Sequence, residues 1–132
     1  MSMDVQVTKG KSAFETWKEG IKGTEPQLVG KGTVKEKGLA YTSKSGQFAH
    51  VWDGTVDDLD EFQLKLNNQG VTNINRAYRF DVEGTVPVKQ LSINTIATRM
   101  AGWPTGKMNV GDVVNLYAWR QGNYVQFGFK KE

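Results

Sequence analysis

Residues 115–131, NLYAWRQGNYVQFGFKK, are dense in aromatic residues and cations, and their reading decides the fold. Side chains of a strand alternate between two faces, so parity sorts the stretch once its turn is placed. A two-residue turn at Gly122-Asn123 pairs Gln121 with Tyr124, Trp119 with Gln126, Tyr117 with Gly128 and Asn115 with Lys130. Val114, Leu116 and Ala118 then share a dry face with Val125, Phe127 and Phe129, as a core requires. The opposite face collects Asn115, Tyr117, Trp119, Tyr124, Gln126 and Lys130, and is aromatic, polar and basic. A turn of different length moves Tyr124 and Lys130 to the other side.

The same punctuation runs back to Pro26. Short segments rich in Val, Thr, Tyr and Phe alternate with Gly, Asn and Asp clusters. The expected strands are residues 27–35, 39–43, 47–52, 61–67, 77–84, 89–98, 113–120 and 124–130. Phe62, Leu64 and Leu66 alternate with polar residues, as do Tyr78, Phe80 and Val82. The apolar spacing of 89–98 also tolerates a helix. Fifteen glycines suit a strongly bent sheet. One helix is expected, over about residues 12–22. Ser12 and Glu15 have the spacing of a capping box, and Phe14, Trp17 and Ile21 make an apolar stripe that must dock on the sheet. The chain therefore reads as one domain, residues 1–132, mainly β: a small antiparallel barrel or sandwich with one short N-terminal helix.

Composition narrows the function classes. Hydrophobic residues are 38% and charged residues 23% of 132, as in a globular domain with a single core. No apolar run approaches the roughly 20 residues that cross a bilayer, so no membrane partner is expected. The opening MSMDVQVTKGK lacks the apolar segment of a secretory signal. Cysteine is absent, which fits a reducing compartment. The expected location is intracellular, in the cytoplasm, or in association with a virus particle. Net charge is +3, and it is segregated. Residues 53–83 carry seven anions against three cations, whereas residues 84–132 carry six cations against two anions. A basic face for a polyanion fits this division, and so does scattered solvating charge.

Catalytic chemistry finds few candidates. His50 is the only histidine; without cysteine a zinc site lacks ligands, and no nucleophile motif of the G-x-S-x-G kind accompanies it. Asp57, Asp58, Asp60 and Glu61 are clustered, but the spacing of a calcium loop is missing, so they read as a solvated turn before the 61–67 strand. The Gly30–Gly32 GKG precedes no helix, so no phosphate loop is expected. The expectation is a protein that is not an enzyme and holds neither metal nor cofactor.

Flat rings beside cations are what an unpaired nucleic-acid strand requires: bases stack on the rings and phosphates meet the charge. The hairpin face of Tyr117, Trp119, Tyr124 and Lys130 has this character, with Gly128 opposite Tyr117 leaving room for a base. The same residues also suit a second layer of core, with the helix stripe over them. In QFAHVW (47–52), Phe48, His50 and Trp52 share one face. In TRMAGWPTGK (98–107), Trp103 lies between Arg99 and Lys107, where it either plugs the end of a barrel or caps a ligand.

LVGKGTVKEKGLAYTSKSGQFAHVW (28–52) and VGDVVNLYAWRQGNYVQFGF (110–129) resemble the first two strands and the late hairpin of OB-fold single-stranded-DNA-binding proteins. The likeness spans about a third of the chain. It implies an OB-like barrel in which Phe48, Trp52, Tyr117, Trp119 and Tyr124 stack bases while Lys44, Arg120 and Lys130 neutralise phosphates. The chain departs from that family in ending KKE, without an acidic tail, and in its central acidic stretch, which must lie off the binding face. The leading expectation is a non-enzymatic module for single-stranded DNA or RNA. The alternative is a structural or interaction β-domain that assembles with itself or other proteins, a virus-particle component for example, with the same aromatics as interface anchors. A third reading is capture of a small ligand inside the barrel, lined by Phe48, Trp52 and Tyr78.

Overall fold

The computed structural model describes residues 12–132. Its elements in chain order are α1 (Ala13–Glu19), β1 (Gln27–Thr42), β2 (Phe48–Trp52), a 3-10 turn (Asp53–Thr55), α2 (Leu59–Asn68), β3 (Ile74–Gly84), β4 (Gln90–Asn94), α3 (Ile96–Met100), β5 (Val113–Gln121) and β6 (Tyr124–Lys131). All six strands belong to one antiparallel sheet, with the path β4-β3-β1-β5-β6 and β2 paired to β1 beside it. The mainly β expectation holds. The sheet curls without closing, so it is an open, rolled sheet rather than a barrel. At the outer edge of β6, α3 takes up one backbone group: the Phe129 amide donates to Thr98 Oγ1 (3.1 Å).

β1 organises the molecule. The two segments expected at 27–35 and 39–43 are one continuous strand of 16 residues. β3 pairs along one edge of it from Gly30 to Tyr41. On the other edge β5 takes residues 27–33 and β2 takes 38–42. The register shifts between Val34 and Glu36 against β3, and between Leu28 and Gly30 against β5. Bulges of this kind bend a strand and deepen its twist, and the curl wraps one sheet face around the core. Val34, Tyr78, Phe80, Ile93, Val114, Leu116 and Phe129 fill that inner face. Tyr78 and Phe80 lie 5.8 and 5.3 Å from the Phe129 ring, centre to centre. The Tyr78 hydroxyl accepts from the Met108 amide (3.2 Å), so its polar end is satisfied in the interior.

Two strand expectations are overturned. Residues 61–67 form most of α2, not a strand. Asp58, read above as part of a solvated turn, caps this helix by accepting from the Asp60 and Glu61 amides (2.9 and 3.1 Å). Phe62 and Leu66, one helical turn apart, face inward, and Leu64, which the alternation had placed with them, is 60% exposed. Residues 89–98 divide between β4 and α3, where the Asn94 side chain accepts from the Ile96 amide (3.0 Å). The described residues thus hold three α-helices rather than one.

The N-terminal helix is close to its expected span, shorter by its last turn. Ser12 Oγ accepts from the Glu15 amide (3.1 Å), one arm of the capping box, while the Glu15 carboxylate pairs with Lys18 (3.1 Å). Phe14 and Trp17 lie nearly parallel to Phe127, at 6.1 and 5.9 Å. The apolar stripe therefore docks on the dry face of the hairpin, leaving the Tyr117 face uncovered by α1.

Candidate nucleic-acid interface

The β5–β6 register pairs Gln121 with Tyr124, Trp119 with Gln126, Tyr117 with Gly128 and Asn115 with Lys130, as parity and the Gly122-Asn123 turn require. Alternation then turns Tyr117, Trp119 and Lys130 to the outer face of the sheet. Trp103 comes to meet them: it follows α3, held by its amide to the Thr98 carbonyl (3.1 Å), and the loop lays its indole against the hairpin. Its ring centre is 4.9 Å from Tyr117 and 5.8 Å from Trp119. The Lys130 ammonium sits 4.4 Å from the Trp103 ring centre and 5.4 Å from that of Tyr117, within cation–π range of both. Trp103 plugs no barrel end. Gly128 is what lets the indoles approach, since a Cβ there would press on both Trp119 and Trp103. The space expected for a base at Gly128 is thus filled from within the chain.

Around this cluster lies an open cleft of about 560 Å³, lined by Pro26, Met100, Trp103, Tyr117, Trp119 and Lys130 among others. Lys130 also lines an adjoining cleft of about 400 Å³ with Lys107 and Lys131. Lys131 alternates to the other face and pairs with Asp112 (3.6 Å), so the cations beside the rings are Lys130 and, across the adjoining cleft, Lys107. Trp119 is only 8% exposed and supports the cluster from beneath, so the accessible rings are Trp103 and Tyr117. Tyr124 points to the same face near the turn and is 72% exposed.

A second aromatic row stands on β2. Phe48, His50 and Trp52 share the outer face, with Phe48 edge-on to His50 (5.1 Å) and His50 stacked on Trp52 (5.6 Å, 4° between planes). The Arg79 guanidinium lies 4.4 Å from the Trp52 ring centre and is held there by Glu36 (3.0 Å). Gly38, directly opposite Trp52, makes the shelf, because a Cβ there would collide with the indole. Burial between rings, and secondarily the Arg79 charge, hold the His50 imidazole below its ordinary pKa of 6.5. Phe48 is 55% exposed.

The remaining expected residues divide. Lys44 is exposed at the tip of the β1–β2 hairpin, near the second row. Arg120 is not on the Tyr117 face: its guanidinium donates to the carbonyls of Lys18 (2.7 Å), Ile21 (2.8 Å) and Asn123 (3.4 Å). Those donors tie the end of α1 to the hairpin. The acidic residues Asp53, Asp57, Asp58 and Asp60 line a different cleft with Lys37, Arg76 and Lys107, and none of them lines the cleft beside Trp103. Phe48 and Trp52 are on the outer face while Tyr78 is in the core, so the three enclose no common cavity for a small ligand. Among the described residues no group of three or more His, Cys, Asp or Glu side chains is placed to hold a metal ion. No described helix is long and apolar enough to cross a membrane.

Parity found Tyr117, Tyr124 and Lys130 but not the partners that complete the two arrays. Trp103 and Lys107 reach the hairpin from a loop. Arg79 reaches Trp52 across β1. The one sequence signal for the first pair is the concentration of Trp, Pro, Gly and Lys in residues 102–107. No protein-family model, curated protein or solved structure matches the chain.

Proposed function

We propose that this protein is a non-enzymatic module that binds single-stranded DNA or RNA with little sequence preference, on the outer face of its sheet. The observation that carries this reading is the ring-lined cleft at Trp103 and Tyr117, with the Lys130 ammonium against both rings and Lys107 in the adjoining cleft. Stacking on exposed rings is indifferent to base identity, and ammonium groups alongside meet the phosphates. Tyr124 extends the rings toward the hairpin turn, and Phe48, Trp52 and Lys44 offer a second contact region on β2.

The test is a tryptophan-fluorescence titration with oligo-dT and oligo-U across a salt series. Binding quenches emission and weakens steeply as salt rises, because phosphate neutralisation releases counterions. Trp103→Ala weakens binding by about 1–3 kcal/mol. A Trp103→Ala protein that binds as tightly as wild type, or a wild type whose emission ignores both oligonucleotides, overturns the proposal.

A further inference from the structure

The backbone of β2 is an open edge, and its geometry is readable from the neighbouring turn. The Ser43 amide donates to the Gln47 carbonyl across the hairpin (2.8 Å), whereas the Thr42 amide donates to Asn73 on the β3 side (3.3 Å). Hydrogen-bonding direction alternates along a strand. Residues 39, 41 and 43 of β1 therefore bond to β2, using Val51, Ala49 and Gln47 as partners. Phe48, His50 and Trp52 turn their own N–H and C=O groups away from β1. Among the described residues only the Trp52 carbonyl has a partner on that side, the Thr55 hydroxyl (2.7 Å).

This edge also lacks protection. Edge strands are usually blunted by lysine, proline, a bulge or a covering element. β2 reads FAHVW, without charge, proline or glycine, and its pairing with β1 is regular. The edge at β4 is different: Pro87 and Lys89 precede it, and Gln90, Ser92 and Asn94 are polar. The edge at β6 is met by Thr98 of α3.

We propose that β2 pairs with β2 of a second copy of this chain, antiparallel, about a twofold axis through His50. Such a contact is isologous, so each residue meets the one at the mirrored position. His50 faces His50, and Phe48 of each copy faces Trp52 of the other. About four backbone hydrogen bonds form between groups that are free in one chain, and about two more go to the Trp52 carbonyls, which accept from Thr55 as well. The charge pattern selects this partner. In the sequence Lys44 precedes β2 and the acidic residues Asp53 and Asp57 follow it, and all three are exposed. The twofold brings Lys44 of each copy beside Asp53 and Asp57 of its mate. Both outer faces remain on the same side, so the two aromatic rows become one. This pairing does not rest on nucleic-acid binding.

Light scattering after size exclusion, without nucleic acid, tests it. Wild type runs as a dimer whose fraction rises with concentration. His50→Pro runs as a monomer with wild-type circular dichroism, because the lost N–H bonds nothing within one chain and proline is tolerated at such an edge. Lys44→Glu and the double variant Asp53→Lys, Asp57→Lys each raise the dimer Kd about tenfold or more, by setting like charges together. An equimolar mixture of those two charge variants restores the dimer, since both contacts are then complementary. A wild type that stays monomeric at about 1 mM, a dimer indifferent to the charge variants, or one that forms only with oligonucleotide present overturns the proposal.

Discussion

In β2 one imidazole lies between a phenyl ring and an indole, with a guanidinium beyond the indole and Glu36 behind that. Its folded pKa is held below 6.5, first by burial between the rings and then by Arg79. The unfolded chain therefore takes up the proton before the folded one as pH falls. The stability contribution of neutral His50 is complete above 6.5 and is lost as acidification proceeds down through the folded pKa. Thermal unfolding of wild type should decline more steeply below pH 6.5 than that of His50→Phe, which keeps a ring in the stack. Equal slopes would show that His50 titrates as it does in water. This stacking was partly legible in the sequence, because period-two spacing puts Phe48, His50 and Trp52 on one face. Arg79 was not, because it crosses from another strand and depends on Gly38 and Ala77 being small at their pairing positions.

At the scale of elements, the β5–β6 hairpin was legible down to its register because one short turn and strict alternation determine it. Helix α2 was not. Phe62, Leu64 and Leu66 satisfy a period of two, while Phe62 and Leu66 alone satisfy a helical turn, so the apolar pattern was ambiguous. The deciding signal is Asp58-x-x-Glu61, whose spacing is that of a helix N-terminus, and four clustered carboxylates equally suit a solvated turn. Helix α3 has five residues, too few for a periodic signal. Arg120 shows the same limit in a side chain. The resemblance to OB-fold proteins implied phosphate contact for it, but its donors are engaged by the carbonyls at the end of α1. Hydrogen bonds made by a charged donor contribute about 1.5–3 kcal/mol. Arg120→Ala should lower urea stability by about that much while leaving oligonucleotide affinity and its salt slope unchanged. A lost salt increment with intact stability would return Arg120 to the binding surface.

For the whole molecule, composition and turn punctuation established the β class, but strand order depended on pairings between distant segments that no local pattern encodes. Curl follows from the bulges in β1 and from the size of the residues that fill the concave side. Phe80 is fully buried on β3 and touches both Tyr78 and Phe129, so it joins the middle of the sheet to its last strand. Phe80→Ala should destabilise the fold by about 3–5 kcal/mol, seen as a lower denaturation midpoint. A loss below about 1 kcal/mol would mean that the core collapses around the gap.

The 16-residue first strand also sets the order in which the chain becomes a protein. β1 is made before every strand it pairs with and meets β2 first, through a five-residue connection. β3 reaches its other edge later, and β5 arrives later still. Contacts between distant segments bear the largest loop-closure entropy and form slowly. During synthesis the half of β1 that awaits β5 therefore has one unsatisfied edge, while Val34 and Phe80 lack their covering strands. The nascent chain is most prone to aggregation in that interval. Release of the β5–β6 hairpin, rather than formation of any earlier element, is the event that ends it.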